Sequence, residues 1–167
     1  TPEMIDQVLR LGSPLEAYTT LIFDLDSPGG RLDHAEQLAS IIRSFADKLR
    51  VKTYVRHGSR CLSGCILVFQ QGEERIAGGS SSWLFHAACD QSSTLLLHKQ
   101  TERFVDAMIA AGASKDFMDG LVERGYLTEF GEYWLSGYEL FHVHRADIIT
   151  ELLDPWRPHK RDSNHQE

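Results

Sequence analysis

Between Thr19 and Val55 the chain changes hydrophobic period twice, and this constrains its fold more than any other feature. "TTLIFDLD" is rich in β-branched and apolar residues, as a strand is, and runs directly into Ser27, Pro28, Gly29 and Gly30, which end it in an open turn. Leu32, Ala35, Leu38, Ala39, Ile42 and Phe45 then recur at helical spacing. "VKTYV" returns to a strand pattern. A strand, a helix and a strand in so short a stretch leave few topologies: the two strands are parallel neighbours, and the helix between them packs back on their sheet. The expectation is an α/β fold with a mainly parallel sheet surrounded by helices.

The pattern continues along the chain. Ahead of it, "PEMIDQVLRLG" places Met4, Ile5, Val8 and Leu9 on one helical face and stops at Gly12. After it, "CLSGCILVFQQG" reads as a buried helix and "SSWLFHAA" as a third strand. Phe104, Val105, Met108 and Ile109 form one apolar stripe and Phe117, Met118, Leu121 and Val122 another, with Gly112 marking a break between two helices. "EYWLSGYELFHVHRADIITEL" reads as a short strand, a brief helix and a closing strand. The polar, proline-interrupted tail is expected to be disordered, which gives one domain over 1–153 and a tail over 154–167.

With 167 residues, the chain has the size of one ordinary domain, and 42% hydrophobic with 25% charged residues marks it as soluble and globular. A formal charge of -7 argues against covering a phosphate backbone, so nucleic acid is not an expected partner. No apolar run is long enough to cross a bilayer, and the first residue is Thr1, as in a processed form or a cloned fragment. Membrane association would come only through segments absent from this chain. Three cysteines, Cys61, Cys65 and Cys89, are too few for a disulfide framework and lack the spacing of a zinc site. A bond between Cys89 and one of the other two is one reading, and buried free thiols are the other.

In an open α/β sheet, functional groups gather where strands end and loops lead into helices. Three segments meet that condition. In "DSPGG", Gly29 and Gly30 have no side chains, so their N–H groups can face a cavity and polarise a carbonyl. Ser63, in "GSRCLSGC", stands at or near a helix N-terminus, where negative charge is favoured. His86, in the strand "SSWLFHAA", is a base that can take the proton from a serine hydroxyl, which is otherwise a poor nucleophile. Read from the residues alone, Ser63 is equally a helix cap and His86 a satisfied core histidine.

"LDSPGGRLDHAEQLASII", "TYVRHGSRCLSGCILVFQQGEERIAGGSSSWLFHAA" and "YWLSGYELFHVHRADIITEL", in that order, resemble the signatures of the Clp protease proteolytic subunit and its relatives in the ClpP/crotonase superfamily. The resemblance runs from about Leu21 to Leu152 and implies a fold of repeated β-β-α units. It implies a serine peptidase in which Ser63 is the nucleophile, His86 the base, and the N–H groups of Gly29 and Gly64 the oxyanion hole. The family's catalytic aspartate falls on Thr128, which can accept an imidazole N–H but brings no charge to an imidazolium. Glu129 and Glu132 are the chemical alternatives, and a dyad with no third member is another. The resemblance implies a peptide or protein substrate and a homo-oligomer, with the apolar helix from Glu102 onward as a contact face, and requires neither a metal nor an organic cofactor. The C-x-S-x-C arrangement, followed by "F-x-x-G-x-x-R" and a strand ending in "FH", is similar to predicted periplasmic Clp-protease-like proteins. This implies a periplasmic or otherwise extracytoplasmic address, the alternative being cytoplasmic, and a structural role for at least one cysteine. The rival functions are a catalytically inactive binding or assembly module and a crotonase-type acyl-CoA enzyme. The latter needs no serine-histidine pair.

The remaining polar clusters read as structure. His142 and His144 would share one face of a strand, but no third ligand accompanies them at a fixed spacing. Asp24, Asp26 and Asp33 are consistent with strand-end and helix-start polarity. Trp83 and Trp134 are expected to fill core or an interface.

Overall fold

The computed structural model describes residues 2–10, 18–89 and 95–153. The expected crossover is present. Strand β1 (Thr20–Asp24), helix α2 (Leu32–Ala46) and strand β2 (Arg50–Val55) follow helix α1 (Pro2–Arg10), and β1 pairs with β2 in parallel from Thr20↔Arg50 to Asp24↔Tyr54. Helix α2 buries Leu32, Ala35, Leu38, Ala39 and Ile42, the stripe its spacing dictates. Leu38 and Ile42 meet Ile5 and Val8 of α1 and Val51 of β2 in one apolar cluster, while Leu9 of the α1 face is 54% exposed.

"GSRCLSGC" divides into strand β3 (Arg60–Leu62) and helix α3 (Gly64–Phe69), hinged at Ser63. Strands β4 (Glu74–Ala77) and β5 (Ser82–Phe85) follow, so "SSWLFHAA" is the fifth strand and not the third. Of the two strands that the pattern did not reveal, β3 is three residues that run straight into the apolar α3, and β4 has Glu74 and Arg75 in two of its four positions. All six residues of α3 are buried, and a helix apolar on every side is one enclosed by its neighbours.

The chain then forms α4 (His98–Ala110), α5 (Lys115–Glu123), β6 (Tyr133–Ser136), a π-helical turn (Glu139–Val143) and β7 (Glu151–Leu152). One sheet has the order β1-β2-β4-β7 with every pair parallel. The other has the order β3-β5-β6, in which β3 and β5 are parallel and β6 is antiparallel to β5. An isolated parallel bridge, Ser27↔Cys61, ties the turn after β1 to β3. This is a mixed α/β architecture with a mainly parallel sheet flanked by helices.

The larger core lies between the sheets and helices α3, α4 and α5. Trp83 is fully buried, packs edge-on against Phe69 with ring centroids 4.9 Å apart, and donates its indole N–H to Ser81 Oγ at 2.8 Å. Trp134 is instead half exposed on β6. Phe104 and Met108 bury the stripe of α4 in this core, with Val105 and Ile109 packed at its margin, so that helix does not offer a free apolar face. Around the π-helical turn, Ser136 and Glu139 cap each other: Ser136 N–H donates to Glu139 Oε2 at 2.7 Å and Glu139 N–H to Ser136 Oγ at 3.2 Å. The Ser136 N–H and the Ser136 hydroxyl, which also donates to Glu139 Oε2 at 2.7 Å, lower the Glu139 pKa.

His142 and His144 are not on a strand. His142 belongs to the π-helical turn and lies against Tyr138 and Phe141, whereas His144 follows it and shares a hydrogen bond with Tyr133 Oη at 3.2 Å. Each has an aromatic setting of its own. The three aspartates are similarly accounted for, since Asp24 pairs with Arg56, Asp26 with Arg60 and Asp33 with Arg31. The expected tail over 154–167 lies outside the described residues.

Candidate active site

Ser63 has φ 54° and ψ −124°, a region that non-glycine residues avoid at about 1–3 kcal/mol. Its neighbours hold it there. Ser63 N–H donates to Leu84 O at 2.9 Å, Leu62 N–H to Ser27 O at 3.1 Å, and Ile66 N–H to Ser63 O at 2.9 Å. The turn is also closed covalently: Cys61 and Cys65 are joined by a disulfide with their Cα atoms 5.2 Å apart, on either side of the serine. Cys89 is therefore the free and exposed cysteine. A Cys89 pairing and a set of three free thiols are both set aside by this geometry. A strand that turns sharply into a helix through one strained residue lifts that side chain clear of its own backbone, which is how nucleophiles are presented in α/β enzymes.

The glycine turn lies directly on Ser63. A Cβ built on Gly29 would stand 2.6 Å from Leu62 O and 3.0 Å from Ser63 Cβ, and one on Gly64 would stand 3.1 Å from Ala35 Cβ. With φ 94° at Gly29 as well, only glycine permits that approach. Gly29 N–H donates to Ser27 Oγ at 3.2 Å, a long hydrogen bond. Gly64 begins α3, where main-chain N–H groups have no acceptor within the helix.

His86 immediately follows β5, as Ser63 follows β3. Because Leu62 pairs with Leu84 in a parallel register, both residues leave their strands at the same end of the sheet. Ser63, His86, Gly29 and Gly64 line one cavity of about 1050 Å³, whose wall also includes Leu32, Val68, Leu97 and Phe104. The same wall carries the polar and charged residues Arg31, Asp33, His34, Gln100 and Arg103. The His86 Nδ1 hydrogen bond is to Ala87 O, at 2.7 Å. Among the described residues no hydrogen bond joins the ring to Ser63 Oγ, a contact that in free enzymes often forms only with substrate. At the rim, Arg31 donates to Asp33 and holds its carboxyl at about 2, so that group stays ionised and is no proton carrier at neutral pH.

The residues proposed as a third member are not among those lining the cavity. Thr128 lies in the turn after α5, where its N–H donates to Gly125 O at 3.2 Å and its hydroxyl to Val122 O at 3.5 Å. Glu129 N–H donates to Gly125 O at 2.9 Å, with its side chain over Gly125, and Glu132 accepts the Trp134 indole N–H at 2.9 Å. What touches the imidazole instead is a main-chain carbonyl. No sequence pattern announces such a contact, since any residue type carries the carbonyl.

No protein-family model and no curated protein sequence matches the chain. Among solved structures, it is similar to ClpP1 from Listeria monocytogenes, with a TM-score of 0.68 and 17% identity over 92% of this chain and 85% of that one. The ClpP protease catalytic domain from Plasmodium falciparum superposes with a TM-score of 0.66 and 15% identity, covering 96% of this chain and 81% of that one. A structure described as a peptidase from Plasmodium falciparum gives 0.64 and 12% identity, with 92% and 90% covered. At such identities the likeness is one of fold, and it extends over nearly the whole chain. The architecture inferred from strand and helix spacing, and from the resemblance to the Clp protease proteolytic subunit, is the one the molecule has: a ClpP-like fold.

Proposed function

We propose that the chain is a serine peptidase of the Clp-protease-like type. The observation that carries this reading is Ser63, held at φ 54° between β3 and α3, sharing one cavity with His86 and Gly29. In the mechanism, Ser63 Oγ attacks a peptide carbonyl and His86 Nε2 takes the hydroxyl proton. The tetrahedral oxyanion accepts from the N–H groups of Gly29 and Gly64, with Gly29 giving up its long bond to Ser27 Oγ. His86 then returns the proton to the leaving amine, and water repeats the sequence to release the acyl group. Every step uses groups of this chain, the substrate and water.

The Cys61–Cys65 disulfide supports an extracytoplasmic, periplasmic-type setting, because such bonds persist where the environment is oxidising. Exposed Phe130, Trp134 and Tyr138, on and around β6, support self-association into a homo-oligomer. A catalytically inactive peptide-binding module is the second reading. It is favoured by one observation: the His86 ring donates to a carbonyl and not to a carboxylate.

A fluorophosphonate probe separates the two readings. Adduct formation on Ser63 that vanishes in Ser63→Ala and falls at least tenfold in His86→Ala supports the peptidase. A folded protein that is never modified supports the binding module.

A further inference from the structure

The His86 ring is set by something other than a third side chain. Nδ1 lies 2.7 Å from Ala87 O, and a carbonyl oxygen only accepts, so in the neutral ring Nδ1 carries the proton and Nε2 the lone pair. A general base acting on a serine needs that tautomer. The carbonyl has no freedom to turn away. Ala87 is 3% exposed; Ala88 N–H, in the same peptide plane as the Ala87 carbonyl, donates to Thr101 Oγ1 at 2.9 Å, and Ala88 O, in the following peptide, accepts Leu97 N–H at 2.8 Å.

Thr101 completes the arrangement. It is a buried polar residue, 5% exposed, in the first turn of a helix whose other buried residues, Phe104 and Met108, are apolar. Its hydroxyl accepts from Ala88 N–H and donates to Leu97 O at 3.5 Å, while its own N–H donates to Leu97 O at 3.0 Å. The hydroxyl therefore links α4 to the segment after β5 and to the residue that begins the helix. Burying a hydroxyl is unfavourable unless it is hydrogen-bonded, and the shorter of its two bonds here is to the peptide that carries the Ala87 carbonyl.

We propose that the Ala87 carbonyl, held in place through Thr101, orients the His86 imidazole, which makes Thr101 a positioning residue for the reaction. The inference rests on the peptidase reading for its catalytic consequence but not for its structural content. A carbonyl fixes the tautomer as a carboxylate would, and gives the imidazolium a partial charge in place of a full one. This assigns the orienting role to α4, away from the turn that holds Thr128.

The test uses the full chain labelled with ¹⁵N, with the His86 ring signals identified by their loss in His86→Ala, at a pH where the ring is neutral. The expected result is the Nδ1–H tautomer in the unaltered protein and in Thr101→Ser, which keeps the hydroxyl. Thr101→Val, isosteric but without it, should show mixed tautomers and a fluorophosphonate rate on Ser63 at least tenfold lower, with Thr101→Ser near the original rate. An Nε2–H ring in the unaltered protein overturns the proposal, and that measurement needs no variant to fold. An unchanged ring in folded Thr101→Val overturns the role of Thr101. If the tautomers behave as expected but Ser63 is never modified, the peptidase reading fails and the positioning relationship stands.

Discussion

Gly29 and Ser63 approach so closely that a methyl group on the first would lie 3.0 Å from the Cβ of the second. The same methyl would meet Leu62 O at 2.6 Å, and the backbone there has φ 94°. Gly29→Ala should therefore lower stability by about 1–2 kcal/mol from the left-handed conformation alone, before any steric contribution. It should also reduce the fluorophosphonate rate on Ser63 by at least a hundredfold. Denaturant unfolding and adduct mass spectrometry on the same preparation check the two effects.

Among the described residues, Thr128, Glu129 and Glu132 bond only within their own region of the chain. Thr128→Ala, Glu129→Gln and Glu132→Gln should each leave the modification rate of Ser63 within about twofold, and stability within about 0.5 kcal/mol as for surface substitutions generally. A large loss of rate in any one, with the fold retained, would restore that residue as a third member of the site.

The disulfide closes a short loop, with its cysteines four positions apart. Chain entropy assigns such a cross-link about 2 kcal/mol. The Cys61→Ala, Cys65→Ala double variant should unfold correspondingly earlier in denaturant and react more slowly with the probe, because Ser63 loses a restraint on its strained conformation. Cys89→Ala should change neither. A thiol reagent applied to the folded, unreduced protein should modify Cys89 alone, the exposed free cysteine.

Arg75 holds the C-terminal part of the fold to β4. Its guanidinium donates to Ile148 O at 2.7 Å and to Gly72 O and Asp147 O at 3.1 Å each. Burial lowers its pKa, and the nearby Asp147 opposes the shift. Arg75→Met should destabilise by about 2–3 kcal/mol, the usual loss when charged donors leave carbonyls without partners. Arg75→Lys should recover only part of it, since an ammonium cannot reproduce the planar fork. Thermal unfolding of the two variants beside the unaltered chain provides the comparison.

How far the sequence discloses this molecule depends on whether a feature is carried by periodicity. The α2 stripe could be read directly, because a half-buried helix must repeat its apolar residues every third or fourth position, and Leu32, Ala35, Leu38, Ala39 and Ile42 are the residues it buries. Ser63, Gly29 and His86 were legible as the ends of elements, which is where a parallel sheet collects its polar groups. Strand β3 is hidden because its three residues run straight into the apolar α3, and β4 because Glu74 and Arg75 take two of its four positions. The pairing of Cys61 with Cys65 depends on a sharp turn at Ser63 that brings their Cα atoms to 5.2 Å, and spacing alone did not decide among three sulfurs. Thr128, Glu129 and Glu132 are suggested by the resemblance and by charge, whereas the hydrogen bond of the His86 ring is to the main chain of Ala87, a partner that no residue type signals.

The pairing of β3 with β5 consists of three residue pairs, Arg60↔Ser82, Cys61↔Trp83 and Leu62↔Leu84. Ser63 and His86 are each fixed by where one of these strands stops. Slippage by a single pair would carry one group about 3.3 Å past the other, the whole length over which a proton can be handed across. The burial of Trp83 opposes that slippage, since it cannot move along the sheet without leaving its place against Phe69. The side chain that keeps Ser63 and His86 in step is thus a buried indole that is not among the residues lining their cavity.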